Sequence, residues 1–147
     1  MSFHFPLERL LRYCQAREHR EENAFAALAH QAASLRAEIE RWLDHERQLR
    51  DSFRRPAKAI LPAITLQFAE TRGELVREKV AAFRKQLAQL EERRELQRQQ
   101  LLSARREREA LSTLRARQQE RYRREQNKRE QQEIDEMFLI RYAGKRH

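Results

Sequence analysis

The residues of this chain with the chemistry to hold a metal or catalyse a reaction are five histidines, one cysteine and 23 acidic side chains. Their spacing argues against both uses. His4, His19, His30, His45 and His147 never meet a second ligand at the i, i+4 spacing that places two on one helical face, apart from glutamate pairings such as His4 with Glu8. Cys14 stands alone, which excludes an internal disulfide and a clustered zinc site. Glycines occur only at 73 and 144, so no phosphate-cradling loop can form. Acid–base catalysis by paired carboxylates needs a closed, desolvated pocket, and the elements available here cannot build one. The reading is a protein without catalytic residues, metal or cofactor, whose work is binding.

Those elements follow from composition. Of 147 residues, 39% are hydrophobic and 37% charged, with two glycines and three prolines, too few turn residues for a multi-strand fold. Ala, Leu, Arg, Gln and Glu dominate, and these are strong helix formers. The fold class is therefore all-α, built from few and long helices. No segment approaches the roughly 20 apolar residues that span a bilayer, and the opening residues already carry Glu8 and Arg9, so a soluble cytoplasmic protein is expected. The net charge of +9 divides as an excess of one over residues 1–55, three over 56–90 and five over 91–147. Acids are mixed throughout, as in Glu107-Arg108-Glu109, which describes solvated helix faces better than a nucleic-acid patch. Tyr122 is the only ring between Phe83 and Phe138, so base stacking along the Arg-rich second half is disfavoured too.

Stepping alternately by four and three from Leu7 gives Leu11, Cys14, Glu18, Glu21, Phe25, Leu28, Ala32, Leu35, Ile39, Trp42, Glu46, Leu49 and Phe53. This is the 3.5-residue seam of a coiled coil. Helix one is expected from about 6 to 54, with Pro6 at the first helical position, where a missing N–H costs nothing. Pro56 and Pro62 break the pattern, and Gly73 marks a second weak point, so a broken turn region is expected over about 55–73. A second seam follows through Val76, Val80, Phe83, Leu87, Leu90, Arg94, Gln97, Leu101, Ala104, Arg108 and Leu111. It fades near Leu114, although helix two can run from about 74 to 141.

Neither stripe can be buried alone, so the two helices should form one domain over 1–147, a long antiparallel two-helix coiled-coil hairpin. With the turn near Ala59 to Ile64, Leu7 lies opposite roughly Leu111 to Arg121, and about 20 residues of helix two overhang the N-terminus. Glu18, Glu21 and Glu46 sit on one seam and Arg94, Arg108 and Arg115 on the other, as register-setting pairs or as a place where a partner enters.

The opening Phe3-His4-Phe5-Pro6-Leu7-Glu8-Arg9-Leu10-Leu11, the proline-broken middle and the closing Glu130-Gln131-Gln132-Glu133-Ile134-Asp135-Glu136 resemble the flagellar export protein FliJ family over essentially the whole chain. The resemblance implies a coiled-coil hairpin similar to the central stalk of rotary ATPases. It implies a stalk and adaptor of the flagellar type III export apparatus that enters the hexameric export ATPase ring, contacts the cytoplasmic domain of the export gate and helps to recycle export chaperones. It also implies a place at the cytoplasmic face of the inner membrane, reached through those partners. The equivalent stalk of a virulence secretion system is a related reading, and a basic coiled-coil nucleic-acid-binding protein is a more distant one. Two groups are candidate partner-binding residues: the apolar Ile60, Leu61, Ile64 and Phe68 beside the turn, and the family-like Glu130, Gln131, Asp135 and Glu136 near the C-terminus.

Overall fold

The computed structural model describes residues 2–54 and 63–145, with the side chains of Phe53, Arg54 and Ala63 outside the description. The described residues form two α-helices, α1 over Glu8–Arg54 and α2 over Ala63–Lys145, and no strand. The fold is an all-α two-helix hairpin. It divides into two compact units, Arg20–Leu101 and Met1–His19 with Leu102–His147, each containing a stretch of both helices.

Entry into α1 is set by Pro6 and Leu7, which form a turn rather than the first helical residues. The Glu8 N–H donates to the Phe5 carbonyl at 3.2 Å and the Leu11 N–H to the Leu7 carbonyl at 2.9 Å. Glu8 in the first turn complements the positive end of the helix dipole.

The second helix begins at Ala63 rather than near residue 74, and it passes through Gly73 without interruption. Gly73 is a point of close approach. A Cβ there would lie 3.3 Å from Glu46 Oε1 on α1, so a bare backbone lets the facing helix bring its carboxylate in. The cost of glycine in a helix, about 1 kcal/mol relative to alanine, is small against an uninterrupted helix of this length.

In the unit Arg20–Leu101 the helices run antiparallel. Glu21 meets Gln97, Arg36 meets Glu91 at 2.6 Å, Trp42 lies under Lys79, and His45 meets Arg72 at 2.7 Å. Ile39, Val76 and Val80 form the buried core, with Trp42, Leu43, Phe83 and Leu87 packed around it. The Lys79 ammonium sits 4.3 Å from the centroid of the Trp42 ring, a cation–π contact that shields the ring from water. Leu28, Leu35, Leu49 and Leu90 are half-buried, and Ala32 is fully buried.

In the other unit the helices are antiparallel as well, with Glu8 meeting Arg115, Arg17 meeting Glu107 and Glu18 meeting Arg108. Phe5, Leu11, Cys14 and Ala104 are its buried residues, while Leu7 is 38% exposed. Among the described residues of both units no large side chain is fully buried. The most enclosed seam positions are two alanines, Ala32 and Ala104, which a single facing helix can cover completely.

Half-burial along α2 does not stop near Leu114. It continues through Arg115, Gln118, Tyr122 and Gln126. The apolar partner there is the extended segment before α1: the Phe3 and Tyr122 rings lie 5.7 Å apart, and Phe5 is buried. Beyond Gln126 every described residue, Asn127 to Lys145, is exposed.

Candidate protein-binding surfaces

The polar positions within the seam are tied to structural partners. Arg108 donates to the Glu18 carboxylate from Nε at 2.6 Å and from Nη2 at 3.3 Å, and Arg105 Nε donates to it at 3.4 Å. These hydrogen bonds, that of Arg108 first, outweigh the opposing effect of burial and hold the Glu18 carboxyl below the usual carboxylate range. Glu18 is therefore an ionised acceptor, the reverse of what a general acid requires. Glu21 accepts from Gln97, through both its backbone carbonyl and its carboxylate. Glu46 is paired within its own helix to Arg50 at 3.0 Å, and Arg94 stacks over the Phe25 ring at 5.3 Å instead of meeting a carboxylate. Arg115 reaches Glu8 at 3.0 Å. Of the seam carboxylates and arginines, only Glu18 and Arg108 are brought together as a pair.

The described residues contain no cluster of three or more metal-ligating side chains and no buried side-chain polar atom left without a partner. Cys14 is a buried free thiol between the helices. Among them, too, no helix is long and apolar enough to cross a membrane.

Among the described residues, two apolar surfaces stand exposed. The first lies on the opening turns of α2, where Ile64 is 78% exposed and Phe68 63% exposed. Steps of four, three and four along the helix join Ile64, Phe68, Thr71 and Leu75 into one exposed stripe, distinct from the seam through Gly73, Val76 and Val80. Leu75 belongs to this surface, and the sequence does not single it out, because its apolar character is equally that of a seam residue. Phase alone separates the two. Ile60 and Leu61 lie outside the described residues, as does the side chain of the seam candidate Phe53.

The second surface is the end of α2. Glu130, Gln131, Asp135 and Glu136 are all exposed there, and Gln131 Nε2 donates to Asp135 Oδ1 at 3.1 Å along the helix. Ile134, Met137, Phe138, Leu139, Ile140 and Tyr142 are each more than half exposed. The Phe138 and Tyr142 rings stack at 6.5 Å on one face. Six large apolar side chains within nine residues, on a helix with no facing helix, form a surface far more apolar than water requires.

The chain opens on a Phe-x-Phe segment and ends on a longer second helix whose last turns are rich in glutamate and aspartate. The model of the flagellar FliJ protein family matches residues 3–147. This chain belongs to the FliJ family. Membership makes it a component of the flagellar protein export apparatus. No curated protein and no solved structure matches the chain.

Proposed function

We propose that this FliJ-family chain is a non-enzymatic stalk and adaptor of flagellar type III export. In this reading the unpaired end of α2 enters the hexameric export ATPase ring, the exposed stripe beside the turn contacts the cytoplasmic domain of the export gate, and export chaperones are further partners. The ring hydrolyses ATP and this chain couples to it, held at the cytoplasmic face of the inner membrane by those partners alone.

One observation carries the reading. The described helix continues from Asn127 to Lys145 with every residue exposed, after the last half-buried position at Gln126. This stretch of helix, charged on some faces and apolar on others, stays exposed among the described residues, and isolated helices are marginal in water. A ring lumen would supply the missing surface, and Glu130, Asp135 and Glu136 would offer carboxylates to basic residues lining it. The stripe of Ile64, Phe68 and Leu75 sits well along the chain from that end, so two large partners can be bound through different residues.

The test is a pull-down with the cognate export ATPase, using the full chain and a chain ending at Gln126. Retention of the ATPase by the full chain and its loss from the shortened one support the reading. Equal retention removes the end of α2 from ring binding.

A further inference from the structure

The exposed end of α2 carries a second heptad stripe, separate from the seam that pairs the helices. Steps of four and three from Arg117 reach Arg121, Arg124, Lys128, Gln131, Asp135, Phe138 and Tyr142 without a phase break. All eight side chains are exposed. The seam runs along other residues, through Arg115, Gln118 and Tyr122. This stripe is chemically polarised. Its first four members are basic, and its last three are an acid and two rings.

Such a stripe is complementary to itself when reversed. Two copies laid antiparallel about a point between Arg129 and Glu130 bring Arg117 opposite Tyr142, Arg121 opposite Phe138, Arg124 opposite Asp135, and Lys128 opposite Gln131, with each pairing repeated by symmetry. The 4-3-4-3 spacing reads the same in both directions, so a single twofold axis satisfies every position at once. The chemistry at each level is favourable. Guanidinium groups stack on aromatic faces, which the same protein already does where Arg94 covers Phe25. Arg124 and Asp135 are opposite charges. Lys128 can donate to the Gln131 side-chain oxygen.

The local structure presents these groups in a ready state. Phe138 and Tyr142 are stacked on one another, forming a continuous aromatic face. Arg117 and Arg121 have no ion-pair partner among the described residues, and with Thr113, Ala116, Glu120 and Arg124 they line a shallow groove. Arg124 is held only by an exposed i, i+4 contact to Glu120 at 3.3 Å, and Asp135 only by Gln131, contacts that cost little to exchange.

We infer that the end of α2 is a self-association surface, through which two copies of this chain pair antiparallel along the stripe from Arg117 to Tyr142. The overlap would be about 26 residues, or roughly 39 Å at 1.5 Å per residue. Its contacts are polar and stacked rather than a leucine core, so the pairing is weak, reversible and salt-sensitive. The inference rests in part on the reading above, since the same segment is the one proposed to enter the ATPase ring, and the paired form would be a resting state that cannot engage the ring.

Sedimentation equilibrium of the full chain alone, from micromolar to millimolar concentration and in low and high salt, tests this without the ATPase. Asp135→Arg sets guanidinium against guanidinium at both charged levels of a homodimer, and Arg124→Asp sets carboxylate against carboxylate at both. Each variant alone should self-associate at least about tenfold more weakly than the parent. An equimolar mixture of the two should pair as well as the parent, because both ion pairs are restored across the heterodimer. Circular dichroism of each variant, expected unchanged because both positions are exposed, separates lost pairing from lost folding. A parent chain that stays monomeric throughout overturns the proposal and leaves the stripe to an acidic partner of another kind. Dimers that ignore both reversals overturn it too, since they must form through another surface. Variants that fail singly and also fail when mixed overturn the antiparallel register.

Discussion

Arg108 reaches across the helix pair to hold Glu18 by two hydrogen bonds, the shorter 2.6 Å, and among the described residues this is the one place where the two seams exchange opposite charges directly. The Glu18 carboxyl is held below its ordinary range, so its contribution to stability is complete above the pKa of an unfolded carboxylate and is lost as pH falls through the folded value. Glu18→Gln should lower stability near neutral pH by about 1 kcal/mol. Thermal melts compared from pH 7 downward should show the two proteins converging in acid. A difference that persists undiminished at low pH would mean that the charge of Glu18 is not what stabilises the pair.

Ile39 faces Val76 and Val80 in a buried apolar cluster between the helices. Ile39→Asp sets an unpaired carboxylate between the helices and should cost several kcal/mol, a large share of the stability of a hairpin that fully buries no large side chain among its described residues. Loss of helicity on a circular-dichroism melt is the expected result. Leu35→Asp, at a half-buried position one turn earlier, should be milder.

Gly73→Ala tests whether close approach or helix propensity governs this site. The added Cβ would meet the tip of the Glu46 side chain at 3.3 Å, and that carboxylate is anchored only to the exposed Arg50. Glu46 can withdraw by a few tenths of an ångström, so the gain in helix propensity should prevail, raising stability by about 0.5 kcal/mol. A lowered melting temperature would show that Glu46 is fixed more firmly than that one contact implies.

The all-helical hairpin was legible because the 3.5-residue stepping from Leu11 to Leu49 and from Val76 to Leu111 is a one-dimensional signal that survives without knowledge of the partner. What was not legible depended on the partner. Gly73 reads as a break, yet the helix runs through it, with the Glu46 carboxylate of the facing helix close beside it. Tyr122 reads as lying beyond the end of a seam, since the ring it meets, Phe3, comes from an extended segment that has no helical period. Arg94 reads as a match for a glutamate and instead lies on Phe25. At the binding surfaces the apolar residues were visible in sequence. Their separation from the seam was not, because that depends on the phase of a helix now seen to run unbroken from Ala63.

The stripe beside the turn yields a separate prediction for the export gate. Phe68 and Leu75 are more than half exposed, so Phe68→Ser with Leu75→Ser should change the melting temperature little. If the stripe docks on the cytoplasmic domain of the gate, binding to that domain should fall at least about tenfold, consistent with the loss of two aromatic or aliphatic anchors. Binding to the ATPase should persist. If both interactions weaken together, the substitutions have damaged the hairpin and the stripe has no separate role.

The end of α2 can be separated from the hairpin more cleanly than the fading of its hydrophobic pattern implied. A cut after Leu114 would remove Tyr122 and Arg115, which hold Phe3 and Glu8, and would therefore destabilise the start of α1. Every described residue that a cut after Gln126 removes is exposed, so the melting temperature should stay within a degree or two of the parent, about what half a kcal/mol produces in a chain of this size. Stimulation of the export ATPase should nevertheless disappear if this end enters the ring. Reversing Glu130 and Glu136 to lysine provides the finer control. Neither residue has an ion-pair partner among the described residues, and neither lies on the stripe from Arg117 to Tyr142, so both folding and self-association should survive. Weakened ATPase binding in that variant, measured at low and at physiological salt, would show that these carboxylates meet basic groups across an interface. Unchanged stimulation by both the shortened and the reversed chain would place the coupling to the ring elsewhere on the hairpin.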